Sequence, residues 1–304
     1  MKIKKYLLLF TVFSSFAFAQ DQSNEMSAQT YYTYASEAFN NENWMNVINY
    51  SKVLVKHYPN SPLTKEVSFY LGVAYFNLKD FELANRYFSR YLKNENSPRF
   101  FEEGLMYKFE IAQKFKNGAK KHAFSSSSGP KVINASEDAL AIFEEIINTL
   151  PNHELACKSL FEKALLQITF EDYKESIDTF KTLINKFTKN ELAIQSYVEI
   201  SKVYLKQTTV KHQNLDVLEA AYLNLSKFEE AFPESEKLKE TKKNIFNMEE
   251  KFAKGFLEIA DFYLKTKKLT ASKMYYAKIV NQFPNSTFAI KAQTKLDKIE
   301  KNEK

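Results

Sequence analysis

Small and apolar residues recur at intervals of three or four between residues 68 and 88, with a polar break at 77–80. This interval places side chains on one face of an α-helix, so the stretch predicts two helices joined by a turn. Gly72 and Ala84 would let the two helix backbones approach closely, because neither carries a bulky side chain. The other interface positions are Leu71, Tyr75 and Phe88.

The same pattern recurs along the chain. In each copy a small residue is followed four positions later by an aromatic or aliphatic residue, and twelve positions later by a proline that would end the second helix. Copies begin at Ala139, Ser176 and Ala221, with Thr188 in place of proline after Ser176. Looser copies begin at Val47, which Ser51 follows, and at Ser272. Small residues that match Gly72 on the first helices are Ala35, Gly104, Ala164, Ser201 and Ala260.

Leu71, Gly72, Tyr75, Ala84 and Phe88 resemble the skeleton of a tetratricopeptide repeat, with Ser68 in the tryptophan position. The resemblance implies an all-α, right-handed solenoid of about six helix-turn-helix repeats over residues 29–304. The pattern also predicts one long helix over 236–265 and a capping helix over 288–299. Residues 118–134 lack apolar periodicity and predict a flexible loop inside the third repeat. A shorter insertion is expected near 208–213.

The first nineteen residues predict a cleaved signal peptide. Lys2, Lys4 and Lys5 precede an apolar run over 6–13, and Ala17-Phe18-Ala19 is a typical cleavage site before Gln20. We expect a polar, disordered segment over 20–28 and a mature protein in the periplasm.

The net charge and the single cysteine limit the kinds of function and bonding that the sequence favours. The formal net charge is +6, and three of the lysines lie in the proposed signal peptide, which leaves about +3. This balance does not favour nucleic-acid binding. The single cysteine, Cys157, cannot form an intramolecular disulfide and is predicted to be buried.

No motif indicates catalysis, a metal or a cofactor. The four histidines lack the spacing of a metal site and are predicted to lie on the surface or in loops. They are His57, His122, His153 and His212. Acidic pairs such as Glu102-Glu103 lie on amphipathic helices, where solvent exposure explains them. We therefore expect a protein that is not an enzyme.

The first helices of such an array line a groove, and two of them carry aromatic residues in matching places. We predict a peptide-binding groove formed by Tyr32, Phe39, Asn40, Phe69, Val73, Phe76 and Asn77. The alternative is that these aromatic residues pack against the neighbouring repeat. A clamp for a carboxylate is not supported, because Tyr32 and Ser36 stand where such clamps carry lysine and asparagine.

Asn43-Trp44-Met45, His57-Tyr58-Pro59 and the run 259–263 before Pro284 resemble the BamD family of the outer-membrane β-barrel assembly machinery. The likeness covers 30–117 and 215–290, and 120–213 would be additional repeat material. It implies a scaffold, peripheral to the outer membrane, with a BamA-type subunit and unfolded outer-membrane proteins as partners.

Two features depart from that family. No cysteine follows Ala19 to carry a lipid, so attachment to the membrane would have to come through partners. At the position of the family's BamA-contacting arginine the chain has Tyr275, flanked by Lys273 and Lys278, which we expect to form the docking surface. The alternative function is another envelope adaptor, of the type associated with Tol and Pal.

Overall fold

The computed structural model describes residues 26–93, 99–123, 129–211 and 214–302. These residues form thirteen helices and two short strands, so the prediction of an all-α repeat solenoid is confirmed. The signal-peptide prediction over 1–19 and the serines at 125–128 lie outside the described residues. The helices are α1 (Ala28–Asn40), α2 (Trp44–His57), α3 (Pro62–Asn77), α4 (Phe81–Leu92), α5 (Phe101–Lys116), α6 (Ser136–Thr149), α7 (Glu154–Thr169), α8 (Tyr173–Lys186), α9 (Glu191–Gln207), α10 (Leu215–Ala231), α11 (Leu238–Lys265), α12 (Leu269–Gln282) and α13 (Ala289–Asn302). The strands are β1 (Lys120–His122) and β2 (Lys131–Asn134).

Polar side chains fix where several helices begin. Asn43, Ser61 and Asp80 each accept a hydrogen bond of 3.3 Å from a backbone N–H two or three residues later, which satisfies a donor that the helix leaves unpaired. Ser27 caps α1 in the same way, at 3.2 Å. Residues 27 and 28, at the end of the segment predicted to be disordered over 20–28, belong to the start of this helix. Residues 20–25 lie outside the described part of the chain.

The turn between the two helices of a repeat has one geometry in five of the six repeats. One residue in each of these turns has a positive φ, and the backbone N–H after it bonds to the carbonyl five residues earlier, as at Asp80 and Tyr75 (2.8 Å). The positive-φ residues are Glu42, Lys79, Gly118, Glu171 and Lys267. Counting back seven residues from Glu42, Lys79, Glu171 and Lys267 reaches Ala35, Gly72, Ala164 and Ala260, so these four small residues are equivalent, as predicted.

Gly104 is not equivalent to them, and this part of the alignment was wrong. Seven residues before the turn at Gly118 lies Ile111, which is fully buried. A Cβ on Gly104 would face Leu92 of the preceding repeat, 3.3 Å from its Cδ2 atom. Gly104 therefore relieves crowding between repeats, whereas Gly72 lies against Phe88 within its own repeat.

Helix α11 spans 28 residues and serves two repeats, as the predicted long helix would. Its first half packs on α9, where Asn244 donates a hydrogen bond to Ser201 (2.8 Å). Its second half pairs with α12, where the Tyr276 hydroxyl donates to Asp261 (2.5 Å). The closing helix α13 then covers this pair, and Lys295 contacts the same aspartate.

The flexible loop predicted over 118–134 is instead a hairpin in the part that the structure describes. Strands β1 and β2 pair antiparallel, with Lys120 opposite Asn134 and Lys121 opposite Ile133. The hairpin follows the usual turn residue, Gly118, and so is inserted between the two helices of the third repeat. Each strand is too short for an alternating pattern to be recognised in the sequence.

Candidate functional site

Tyr32 and Phe39 of α1 pack on the next repeat. Their rings stack on Tyr70 of α3, with ring centroids 6.3 and 4.4 Å away. Both side chains are half-buried, and Asn40 at the end of the helix is exposed. Packing between repeats, which is the alternative to a peptide-binding groove, therefore accounts for much of the buried surface of Tyr32 and Phe39.

Phe69 and Val73 do not line a groove, which corrects the predicted site. Their side chains are only 5% and 3% exposed. The ring of Phe69 stacks on Phe100 at 4.5 Å and also meets Tyr107 of α5. The following repeat therefore closes directly over this face of α3 and turns it into core.

Phe76 and Asn77 do line a cavity, one turn further along α3. The cavity has a volume of about 470 Å³ and opens where α3, the start of α4 and α5 meet. The half-buried ring of Phe76 meets Phe81 edge-on at 5.5 Å and Tyr107 at 5.1 Å, which fixes its orientation. Asn77 donates to the carbonyl of Val73 (2.9 Å), so part of its amide is used within its own helix.

The lining of this cavity combines an apolar floor with a cationic rim. Its residues are Phe76, Asn77, Lys79, Phe81, Glu110 and Lys114. Two lysines against one glutamate favour an anionic group beside the two phenylalanine rings. The arrangement suits a polypeptide segment that presents an aromatic or aliphatic side chain close to a carboxylate.

The hairpin contacts the turn and the start of α4 beside this cavity, and it is anchored there by His122, which was predicted to lie on the surface or in a loop. Only 7% of His122 is exposed. Its Nδ1 lies 2.7 Å from the carbonyl oxygen of Gly129, and its Nε2 lies 3.0 Å from a carboxylate oxygen of Asp80. The backbone N–H of His122 donates to Glu82 (3.0 Å), and Lys131 donates to the carbonyl of Lys79 (2.8 Å). The hydrogen bond to the Gly129 carbonyl, followed by that to Asp80, raises the pKa of His122 above its usual value.

A second cavity, of about 450 Å³, lies between α5, α7 and α9. Phe109, Phe161 and Leu192 supply its apolar part, and the exposed ion pair of Glu154 with Lys158 (2.7 Å) borders it. Sequence reasoning missed this cavity. The only available signal was that Phe161 stands three residues before Ala164, as Phe69 stands three before Gly72.

The predicted docking residues lie together near the C-terminal end of the solenoid. The ring of Tyr275 contacts Tyr263 at 5.8 Å, and the Lys278 ammonium lies 4.2 Å from the ring centre of Phe256. Lys273 is half-buried on the same helix. Tyr275 and Lys278 both lie against Phe256, whereas Lys273, two residues before Tyr275, lies on a different face of α12. The use of these residues for docking stays a prediction.

Cys157 is not placed as a reactive thiol. Cys157 is buried as predicted, and burial raises its pKa to about 11, so the thiol is protonated at neutral pH. The described residues contain no group of three or more His, Cys, Asp or Glu side chains that could hold a metal ion. No helix in the described part of the chain is long and apolar enough to cross a membrane.

Comparisons with known proteins identify the same type of repeat as the sequence pattern. Family models described as tetratricopeptide repeat match residues 19–160 and 255–286. Similar solved structures include MamA from Desulfovibrio magneticus (15% identity, 69% of this chain and 97% of that one, TM-score 0.37). A tetratricopeptide-repeat protein from Bacteroides fragilis has 12% identity, with 90% of this chain and 99% of that one covered and a TM-score of 0.43. Scores this low carry no argument about function, and no curated protein matched.

The helix pairs, their shared turns and the core that runs from repeat to repeat define a helical-repeat solenoid. The chain contains tetratricopeptide repeats, which the family models match over residues 19–160 and 255–286. Tetratricopeptide-repeat proteins are generally non-enzymatic and mediate protein–protein interactions, and the comparisons support a protein-interaction scaffold for this chain.

Proposed function

We propose that this protein is a periplasmic scaffold of the BamD type, which assists the insertion of β-barrel proteins into the outer membrane. Its signal peptide would be removed after residue 19, and it would remain peripheral to the outer membrane through protein partners. The surface of Lys273, Tyr275 and Lys278 would dock on a BamA-type subunit.

The observation that carries the proposal is the cavity at Phe76. Unfolded barrel proteins commonly end in a strand with a terminal aromatic residue, which brings an aromatic ring and a carboxylate close together. The rings of Phe76 and Phe81 would take the aromatic side chain, and Lys79 and Lys114 lie at the same cavity to attract the carboxylate. Aromatic contacts of this kind bury a large area while losing little conformational entropy, so few residues can dominate the affinity.

Purification from the cell envelope tests the assignment. The tagged chain is crosslinked in intact cells of its own organism, purified, and its partners are identified by mass spectrometry. We expect a BamA-type barrel subunit, with reduced recovery for Tyr275→Ala and unchanged recovery for Met274→Ala, an exposed neighbour. Recovery of Tol or Pal components without the barrel subunit would refute the proposal.

The N-terminus of the purified chain tests export separately. The proposal predicts a mature protein that begins at Gln20 and carries no acyl group. An intact Met1, or a lipid near the start of the chain, would contradict it.

A further inference from the structure

The turn between α11 and α12 carries positive charge that the fold does not neutralise. Lys265, Lys267 and Lys268 are all exposed, and none of them belongs to an ion pair among the described residues. The ammonium of Lys268 lies 5.9 Å from the ring centre of Tyr263, which leaves its charge unpaired. We call residues 262–269 the basic turn.

The sequence around the basic turn is almost free of acidic residues. From residue 262 to residue 296 the chain contains seven lysines and no aspartate or glutamate. Asp261, just before this stretch, is already bonded to Tyr276 and Lys295. Glu258, one helical turn before Phe262, is the nearest other carboxylate in the sequence, and it stands against three lysines.

Helix formation does not explain these lysines. In the equivalent turns of three other repeats, Asn43, Asp80 or Asp172 precedes the second helix, whereas Lys268 stands there in the basic turn. A lysine cannot accept a hydrogen bond from the first backbone N–H groups, and its charge opposes the positive end of the helix macrodipole. A residue that departs from a local folding rule in this way is a candidate for function.

Apolar side chains flank the lysines. Phe262 is 59% exposed and Leu269 is 39% exposed. Phe262 lies three residues before Lys265, which puts the two on the same face of α11. The ring of Phe262 meets that of Tyr263 edge-on at 5.7 Å, and most of it still faces solvent. The basic turn therefore combines a protruding aromatic ring with three ammonium groups.

The surface of a bilayer that contains anionic lipids complements both features. The lysines would lie against the phosphate headgroups, and the ring would enter the boundary between headgroups and acyl chains. An acidic polypeptide would match the charge, but the protruding ring would stay in water unless that polypeptide also formed a pocket for it. Burial of the ring thus favours the bilayer over a soluble acidic partner.

We propose that the basic turn binds the surface of a membrane containing anionic phospholipids, with Phe262 inserted at the level of the headgroups. The chain itself would make this contact, in addition to any protein partner, and the contact does not depend on the identity of that partner. A few lysines and one aromatic ring give weak, reversible binding rather than firm anchoring.

Sedimentation with lipid vesicles tests the proposal. The chain from Gln20 onward is used, because the apolar run over 6–13 could itself bind lipid, and this form retains every described residue. We expect binding to vesicles of phosphatidylcholine mixed with phosphatidylglycerol, and little binding to phosphatidylcholine alone. Higher salt should weaken the binding, because it screens charges at an exposed surface.

Two triple variants locate the contact. Replacing the three lysines of the basic turn with glutamine should weaken binding to anionic vesicles by at least about tenfold, since each lysine adds to the attraction. The matched control makes the same change at three exposed lysines on and just after α8, and it should bind like the wild type. Its substitutions are Lys181→Gln, Lys186→Gln and Lys189→Gln. All six positions are exposed, so neither variant should lose stability, which thermal denaturation verifies.

Fluorescence tests insertion of the ring. Trp44 is the only tryptophan of the chain, so Trp44→Phe combined with Phe262→Trp leaves a single reporter in the basic turn. We expect its emission to shift to shorter wavelength and to be quenched by brominated acyl chains in anionic vesicles. Phe170→Trp in the same background is the control, because Phe170 is 37% exposed in an equivalent turn that carries Glu171 and Asp172. This control reporter should show neither change.

Three results would overturn the proposal. The first is absence of binding to anionic vesicles, and the second is equal binding by the two triple variants. The third is binding without quenching of the reporter at residue 262. Binding of soluble polyglutamate through the three lysines, without binding to vesicles, would overturn it in favour of an acidic protein partner.

Discussion

Gly72 lies so close to Phe88 that a Cβ atom on the glycine would be 2.7 Å from Cε1 of the ring. The gap is too small for any side chain, and the ring cannot move easily because Phe88 is fully buried. This contact sets the distance between α3 and α4, and through them the position of the cavity at Phe76.

Gly72→Ala should therefore destabilise the protein even though alanine favours helices. We expect a loss of roughly 1–3 kcal/mol in the free energy of unfolding, measured by urea denaturation with circular dichroism. Gly104→Ala is the matched control, since its new Cβ would lie 3.3 Å from the flexible end of Leu92. Equal urea midpoints for the two variants would show that close helix approach at Gly72 is unimportant.

Phe69 and Phe76 should respond differently to truncation, because one is core and the other half-exposed. Phe69→Ala should cost about 3–5 kcal/mol in the free energy of unfolding. Phe76→Ala should cost clearly less, since part of its ring already faces solvent at the cavity. Thermal and urea denaturation of both variants measure this, and a larger loss for Phe76→Ala would contradict the placement of the two rings.

The fully buried ammonium of Lys108 lies 2.7 Å from a carboxylate oxygen of Glu145, whose side chain is 42% exposed. Burial lowers the pKa of Lys108, and the glutamate opposes this effect. Glu145→Gln leaves the buried cation without its counter-charge and should cost about 1–3 kcal/mol. Lys108→Met removes the charge, lets Glu145 rehydrate, and should be close to neutral or stabilising. Lower stability of Lys108→Met than of Glu145→Gln would refute this account of the pair.

The raised pKa of His122 predicts that the hairpin is held more firmly in mildly acidic solution. Its stabilising contribution should be fully present below about pH 6.5, the usual value, and should be lost as the pH rises through the higher value of the folded state. The Gly129 carbonyl and Asp80 favour the charged imidazole, and burial and Lys131 oppose it. Amide exchange at β1 should be slower near about pH 6 than near about pH 8 after correction for intrinsic rates. His122→Gln should abolish the difference, and a wild-type difference that survives in this variant would exclude the histidine as its cause.

The repeat architecture could be predicted because small residues recur at fixed distances from each turn. Ala35, Gly72, Ala164 and Ala260 all precede their turn by seven residues, which is a local property of the chain. The error at Gly104 arose because the inserted hairpin removed the regular distance to the next helix. A pattern of fixed spacings no longer aligns equivalent residues where an insertion changes the distance between the two helices of a repeat.

The site was predictable only in part, for a different reason. Periodicity correctly put Phe69 and Phe76 on one face of α3. It could not tell that Phe100 closes over Phe69 while Phe76, beside Phe81 and Tyr107, stays half-buried. His122 escaped prediction because its partners Asp80 and Glu82 lie 42 and 40 residues away. Contacts between repeats determine whether these side chains are buried, and the residue spacing within one repeat does not reveal such contacts.

The cavity at Phe76 is the central element of the proposed function, and binding of a barrel-protein peptide tests it most directly. A labelled peptide that ends in phenylalanine with a free carboxylate is titrated with the wild type and three variants. Phe76→Ala should weaken binding by at least about fivefold, which corresponds to about 1 kcal/mol for a dominant contact. Lys114→Gln should weaken binding of the free carboxylate but not of an amidated peptide. Phe262→Ala, which removes an aromatic residue that is 59% exposed at the other end of the solenoid, should change nothing. Folded Phe76→Ala protein that binds the peptide as tightly as the wild type would contradict the account.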